Sequence, residues 1–351
     1  MKRMTRRSIE AVLLWVLLIP ASVWGHHSLA FYNAGIIELR GHLVQVEWRN
    51  PHTRFMLRTG DDKRNEEVWM MEGNSIYNIQ RTGVTREMFR AGDQVTVAGI
   101  KSSREGRTFL LTNVLLPDGR ELLLTTQAKA RWSTKVVGGR DVLGDSVSPE
   151  QIGKVRAENK GIFRVWTVPR AGSALAQLET QQFTATAIAA RKSWDALNNF
   201  TTRCEPEGMP RITLNPHPFE FINRGKDIVL RTELYDIERT IHMDRSAPPP
   251  GEPPSRLGYS VGAWENGALV VKTTRINWPY FDTIGTPLSP AVEVVEQFGL
   301  SQDQSRIDFT VTVTDPKTFT RPAVLKGYWL ALGDKLLRYN CQAQRADATR
   351  K

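Results

Sequence analysis

The feature that most constrains this fold is a series of eight short segments of alternating polarity between Cys204 and Cys341. Polar turns such as Arg-Gly-Lys, Glu-Asn-Gly and Asp-Gln-Ser separate several of them, and this punctuation is typical of β-strands with one buried face. The predicted strands occupy 218–225, 227–236, 237–244, 258–266, 268–276, 291–301, 306–315 and 324–333. The chain is therefore mainly β, and residues 204–345 are predicted to form an antiparallel eight-stranded, lipocalin-like β-barrel, with a β-sandwich as the alternative.

The two cysteines of the 351-residue chain, Cys204 and Cys341, bracket this series. An even pair in an oxidising compartment predicts a disulfide, which would tie the last strand to the entry segment of the barrel. Two buried thiols are the alternative. Neither cysteine has a second ligand at zinc-site spacing, which disfavours a structural zinc.

A second series of strand-like segments lies nearer the N-terminus. Strands are predicted at 42–48, 53–59, 66–72, 93–100, 108–116 and 121–126, with a short helix within 76–89. This order predicts an OB-fold-like small barrel over residues 26–127, with a generic antiparallel sheet carrying one helix as the alternative. Residues 128–203 lose the alternation and are interpreted as a partly helical linker, with one helix predicted at 175–200 and a lone strand-like piece at 161–168.

The first 25 residues match a secretory signal peptide. Lys2, Arg3, Arg6 and Arg7 precede the uncharged stretch 11–23, which is shorter than a membrane span. An uncleaved anchor is the alternative. Cleavage after residue 25 would lower the formal net charge from +10 to +7 and leave a periplasmic or secreted protein without a stable membrane span. The basic residues are scattered, without the interleaved aromatic residues of a nucleic-acid surface, so nucleic acid is not a predicted partner.

Several motifs carry a resemblance to proteins without known activity. HHSLAFYN at 26–33, VEWRNPH at 46–52, GDQVTVAG at 92–99 and LPDGR at 116–120 resemble an uncharacterised family of exported bacterial proteins, a domain of unknown function. The later region is similar to a second uncharacterised exported module, through GMPRITLNPHPFEF at 208–221, LGYSVGAWENGALVVKTTRIN at 257–277 and the Tyr-Asn-Cys ending at 339–341. The resemblance implies export and layout, and no particular chemistry.

His26 and His27 form a candidate metal site. Cleavage after Gly25 would make His26 the N-terminal residue, and an amine with an imidazole, joined by a second imidazole, suits Cu(II). His52, on the first inter-strand turn, is the predicted distant ligand, while the alternative is a frayed terminus and a simple turn residue. The tripeptide Asn215-Pro216-His217 repeats Asn50-Pro51-His52, and we interpret His217 as part of an entry turn.

Aromatic residues indicate a second candidate site. Trp264, Trp278, Tyr280 and Trp329 lie on predicted strands or on the long excursion 277–290, and His242 alternates with apolar strand residues. Ligand pockets are mostly apolar with a few polar anchors, so these residues are candidates for binding a small apolar ligand. Filling of the core is the alternative interpretation.

The segment Gly258-Tyr259-Ser260-Val261-Gly262 matches the G-x-S-x-G motif of serine hydrolases. Its flanks predict a strand followed by a hairpin, whereas the nucleophile elbow requires a strand-to-helix turn. We therefore expect an exported, non-catalytic binding or accessory protein, with a copper-binding protein as the alternative and a serine hydrolase as a remote one.

Overall fold

The computed structural model describes residues 32–60, 64–103, 105–125, 128–139, 147–169, 182–194, 200, 204–215 and 217–341. The predicted signal peptide 1–25 and the candidate ligands His26 and His27 lie outside the described residues. Within these ranges the chain is mainly β, with a seven-stranded sheet followed by a closed β-barrel. No helix in the described ranges has the length and apolar character that crossing a membrane requires.

Seven strands build the N-terminal sheet. They are β1 (Tyr32–Glu47), β2 (Arg54–Thr59), β3 (Glu67–Glu72), β4 (Gln94–Ser102), β5 (Thr108–Leu115), β6 (Glu121–Leu123) and β7 (Val136–Gly138). The sheet order is β3-β2-β1-β4-β5-β6-β7, and β3 also pairs in parallel with β5. Helix α1 (Ile76–Gln80) lies between β3 and β4 and begins at Ser75, whose side chain accepts from the Asn78 amide.

The first body encloses an apolar core to which every long strand contributes. Leu43, Phe55, Val97 and Phe109 are among its most buried residues. Strand β1 begins ten residues before the predicted start at His42. The early half of β1 is largely exposed, so its sequence lacks the apolar alternation that a half-buried strand would show.

Nine strands close the C-terminal barrel. They are β8 (Val165–Thr167), β9 (Phe219–Asn223), β10 (Asp227–Thr232), β11 (Glu238–His242), β12 (Tyr259–Glu265), β13 (Ala268–Thr274), β14 (Glu293–Leu300), β15 (Arg306–Thr314) and β16 (Ala323–Ala331). All eight predicted strands are present, but the predicted number is wrong. Strand β8, assigned from the sequence to the linker, pairs with both β16 and β9 and completes the ring. Its three residues are all buried and too few to show a period.

The prediction of a purely antiparallel barrel is also wrong at one place. Strands β11 and β12 pair in parallel, with Ile241 opposite Ser260 and His242 opposite Val261. Parallel neighbours require a long connection that carries the chain back to the same end of the sheet. The Pro-rich excursion 246–255 lies in that connection. A ring of nine sequential strands cannot alternate throughout, so one parallel pair follows from the odd number.

The predicted linker contains two described helices. Helix α2 (Pro149–Glu158) was not predicted, because it is mostly polar and buries only Val155. Its start signal was nevertheless present: Ser148 caps the helix and Pro149 occupies the first turn. Helix α3 (Ala185–Ser193) occupies part of the predicted helix 175–200.

A disulfide joins Cys204 to Cys341, as predicted, and closes a sequence separation of 137 residues. Between Cys204 and the barrel, the short helix α4 (Arg211–Leu214) buries Ile212, Thr213 and Leu214. The disulfide therefore anchors the entry segment beside the end of the described chain.

Candidate functional site

The interior of the barrel is filled by side chains. Trp329, a predicted ligand-binding residue, is 2% exposed and lies among three phenylalanine rings. Its ring centroid is 4.2 Å from that of Phe309, 4.5 Å from Phe219 and 5.6 Å from Phe298. This position makes Trp329 a packing residue of the interior.

A buried ion pair between Arg239 and Glu296 also lies inside the barrel. The guanidinium donates to Glu296 at 3.1 Å, to Ser260 at 3.0 Å and to Thr273 at 2.7 Å. Thr213, from α4, donates to the Glu296 carboxylate at 2.7 Å. We call these five residues the interior network. Buried charges are stable when they are paired and hydrogen-bonded, and both conditions hold here.

Ser260 belongs to this interior network. It lies within strand β12, is buried, and bonds to Arg239 and Thr273. A nucleophile elbow needs an exposed serine on a sharp turn before a helix. We therefore interpret Ser260 as a structural residue that packs and hydrogen-bonds inside the barrel.

The other predicted ligand-binding residues lie in different places. His242 is half-buried, contacts Asp227 Oδ1 through Nδ1 at 2.7 Å and stacks on Tyr259. It follows the inward-facing Ile241, so it lies on the outer face of the barrel. Trp264 is 50% exposed on the β12–β13 hairpin. Of the predicted set, only Trp278 and Tyr280 contact each other, with ring centroids 5.7 Å apart.

Trp278 and Tyr280 form an aromatic cluster with two residues that sequence reasoning missed, Trp194 and Phe200. The ring centroid of Phe200 lies 4.9 Å from that of Trp278 and 5.5 Å from that of Tyr280. The ring centroids of Trp194 and Tyr280 are 5.2 Å apart. Trp278 and Phe200 are buried, whereas Trp194 and Tyr280 are half-buried and reach the surface. Trp194 and Phe200 come from the predicted linker, where the absence of alternation concealed them, although the aromatic residues themselves were visible.

Helix α3 and the excursion 277–290 are fastened together beside the aromatic cluster. Arg191 of α3 donates to Asp282 at 3.3 Å and to Thr286 at 2.9 Å. Asp282 also accepts from the amides of Ile284 and Thr286. At Gly285 the backbone has a positive φ of 81°, and a Cβ would lie 2.6 Å from the Trp194 indole. The excursion can therefore lie directly against Trp194 only with glycine at this position.

Helix α3 and the excursion each carry one exposed aliphatic residue. Ile188 on α3 is 41% exposed and Ile284 on the excursion is 51% exposed. Trp194 and Tyr280, which are half-buried, belong to the same two segments, and the Arg191–Asp282 ion pair joins these segments.

His52 lies away from the aromatic cluster, where the sheet meets the barrel. Its Nδ1 donates to the buried carboxylate of Glu72, which also accepts from the Tyr32 hydroxyl at 2.6 Å. Burial and the Glu72 charge raise the pKa of Tyr32 well above its usual range, so the phenol stays protonated as a donor. The described residues contain no group of three or more histidine, cysteine or acidic side chains able to hold a metal.

The two Asn-Pro-His tripeptides converge at this junction. The ring of His217 contacts those of Tyr77 and Tyr339, with ring centroids 5.3 Å and 5.7 Å away, respectively. Burial, followed by the charges of Arg211 and His52, lowers the pKa of His217 to about 4. The imidazole is therefore neutral at ordinary pH.

The asparagines of the two tripeptides have different roles. Asn50 donates to the Tyr339 carbonyl at 2.6 Å and accepts from the Ile76 amide, so it joins the first body to the C-terminal segment. Asn215 donates to the Ile212 carbonyl and accepts from the His217 amide, so it fixes a local turn after α4.

In a comparison with known proteins, a family model matches the N-terminal part of the chain. Residues 15–111 match the model of a family of unknown function (DUF6152), in agreement with the resemblance in the sequence. No curated protein matches the chain. The matched range ends within β5 and does not include the barrel.

Proposed function

We propose that this chain is an exported, non-catalytic protein that binds a small apolar ligand at the aromatic cluster of Trp194, Phe200, Trp278 and Tyr280. The observation that carries the proposal is the contact of four aromatic rings, two of them half-buried, on segments that also carry the exposed Ile188 and Ile284. Apolar area removed from water stabilises a complex by roughly 25 cal/mol per Å². Aromatic rings in contact offer such area at little conformational cost.

The mature protein would be periplasmic or secreted. The Cys204–Cys341 disulfide supports this location, because disulfides persist in oxidising compartments. The basic stub and short apolar stretch before His26 support it independently.

We further infer an OB-type first body and a lipocalin-like barrel. The pairing ring β1-β2-β3-β5-β4, with α1 between β3 and β4, supports the first assignment. The nearly up-and-down strand order supports the second. Because side chains fill the barrel interior, the proposed ligand binds beside the barrel, against the excursion 277–290.

The arrangement favours binding over catalysis. Arg239, Glu296 and Ser260 are buried and hydrogen-bonded to one another or to threonines, so they are withheld from a substrate. Labelling of Ser260 by a fluorophosphonate probe would contradict this assignment and favour a hydrolase.

The ligand proposal is tested by titrating the purified, exported protein with lipids, quinones, haem, steroids and fluorene, followed by tryptophan fluorescence. We expect saturable binding of at least one compound, weakened about tenfold or more by Ile284→Asp, which places a charge on the apolar surface. The matched control is Ile36→Asp, an equally drastic change at an exposed position of β1. If no compound changes the fluorescence, or both variants weaken binding equally, the proposal is wrong.

A second candidate function is Cu(II) binding by His26, His27 and His52. The favouring observation is the Glu72 carboxylate on His52 Nδ1, because metal-binding histidines commonly donate their other ring nitrogen to a carboxylate. His26 precedes Tyr32 by six residues, so an extended chain keeps it within about 20 Å of Tyr32, whose hydroxyl bonds to Glu72.

The copper proposal requires protein whose N-terminus has been sequenced as His26. We expect Cu(II) uptake in a calorimetric titration and a loss of affinity of tenfold or more in His52→Ala. Absence of uptake would contradict copper binding, and an unchanged affinity in His52→Ala would remove that residue from the site.

A further inference from the structure

Two tryptophans of the aromatic cluster have indole N–H groups without hydrogen-bond partners. Nε1 of Trp194 and Nε1 of Trp278 are both buried, and neither has an acceptor in the structure described. A buried donor without an acceptor is unfavourable, and buried indole N–H groups usually find one. The interior tryptophan Trp166 follows that rule, since its Nε1 donates to the Ile162 carbonyl at 2.8 Å.

The two unpartnered donors belong to one place in the fold. Both indoles contact the ring of Tyr280, Trp194 at 5.2 Å and Trp278 at 5.7 Å. Tyr280 and Trp194 are themselves half-buried, so the ring that both indoles contact is partly exposed to solvent.

Trp48 has a similar indole N–H in a different part of the molecule. Its Nε1 also lacks a partner, but it lies in the first body and packs against Phe89 with ring centroids 5.8 Å apart. At the aromatic cluster, by contrast, two such donors belong to indoles that contact the same ring, that of Tyr280.

We infer that the ligand of the aromatic cluster is an apolar ring compound that carries a carbonyl oxygen. This inference rests on the proposed function and names its ligand class. The rings and the two isoleucines provide apolar contact, and the carbonyl oxygen accepts from an indole N–H. A carbonyl oxygen has two lone pairs, so it can accept from either of the two donors. The site rejects the corresponding hydrocarbon, because that ligand leaves the donors unpaired.

The test compares 9-fluorenone with fluorene, which have the same three fused rings and differ by C=O in place of CH₂. Equilibrium dialysis with the full mature protein measures both affinities without depending on tryptophan emission. We expect fluorenone to bind about tenfold or more tightly than fluorene. The double variant Trp194→Phe/Trp278→Phe keeps aromatic rings but loses both donors, so it should bind the two compounds equally. Trp48→Phe, the matched control, should retain the preference.

The results distinguish failure of the carbonyl inference from failure of the proposed function. Equal binding of the two compounds by the parent protein overturns the carbonyl inference and leaves the proposed apolar site intact. A fluorenone preference that survives in the double variant also overturns it, because the donors would then lie elsewhere. If neither compound binds, and the wider ligand panel also fails, the proposed function is overturned as well. The single variants Trp194→Phe and Trp278→Phe, checked by circular dichroism, replace the double variant if that variant does not fold.

Discussion

The interior network and the aromatic cluster lie in the same half of the molecule. They differ in whether their polar side-chain atoms have hydrogen-bond partners. In the interior network, Arg239 donates to Glu296, Ser260 and Thr273. In the aromatic cluster, the indole donors of Trp194 and Trp278 have no acceptor within the described structure.

We interpret this difference as one between residues that stabilise the fold and residues proposed to bind a ligand. Groups that are mutually satisfied specify the folded barrel, since opening them would leave buried charges unpaired. We propose that donors that lack partners within the fold are available to an acceptor from a ligand, although leaving them unpaired is unfavourable in the free protein. The following changes test whether the two regions differ in this way.

The largest effect is expected from breaking the interior network. Arg239→Met should lower the free energy of unfolding by about 3–5 kcal/mol, because Glu296 would be left as an uncompensated buried charge. The double variant Arg239→Met/Glu296→Leu removes both charges and should recover most of that loss. Urea unfolding of the three proteins provides the measurement. Equal destabilisation of the single and double variants would contradict a satisfied charge pair.

The disulfide should have the next largest effect, because it holds the segment that brings Thr213 into the network. Replacing Cys204 and Cys341 by serine should lower the free energy of unfolding by about 2–4 kcal/mol. The matched measurement is the parent protein unfolded with and without dithiothreitol. A midpoint that does not change with reductant would show that the bridge contributes little.

A pH-dependent effect of intermediate size is expected from His217. Its folded pKa of about 4 lies below its ordinary value of 6.5, so the fold favours the neutral ring. Stability from this residue is therefore complete above pH 6.5 and declines as the pH falls from 6.5 towards 4. We expect a loss of about 2 kcal/mol by pH 4.5, which is absent in His217→Phe.

The opposite pH dependence is expected from Glu207. Burial raises the pKa of this carboxyl, and the Arg211 charge opposes the shift only in part. Its contribution to stability is present at low pH and declines as the pH rises above the ordinary value. Measuring the free energy of unfolding of Glu207→Gln and of His217→Phe as a function of pH distinguishes the contributions of the two residues. If the parent and both variants showed the same pH profile, neither residue would control it.

The smallest effect on stability is expected within the aromatic cluster. Trp278→Phe should cost less than about 1 kcal/mol, because the lost contact area is offset by removal of an unpaired donor. The same change at Trp166 should cost about 2 kcal/mol, because it leaves the Ile162 carbonyl without its donor. Thermal unfolding of the two variants measures the difference. A larger loss at Trp278 would indicate that its indole N–H is satisfied.

The sequence pattern predicted the position of the barrel strands, but not how the ring of strands closes. Alternation from 218 to 333 located eight strands of the barrel, since each buries one face. Strand β8 lies within the predicted strand-like piece 161–168, but its three buried residues gave no indication that it completes the barrel. The parallel pairing of β11 with β12 depends on the return path of the chain.

The candidate sites were predictable only in part. Trp278 and Tyr280 are close in sequence, so their contact follows from the excursion they share. Trp194 and Phe200 join them through tertiary packing, which no local pattern encodes. The pairing of Arg239 with Glu296 was likewise hidden, although both occupy inward-facing positions among apolar neighbours, a pattern that can be sought in other sequences.

The indole N–H resonances of uniformly ¹⁵N-labelled mature protein test the central claim most directly. On addition of 9-fluorenone, we expect saturable shifts of the Trp194 and Trp278 signals, with Trp166 and Trp48 unchanged. Shifts confined to tryptophans outside the aromatic cluster, or no shift at saturating ligand, would contradict the assignment of the binding site.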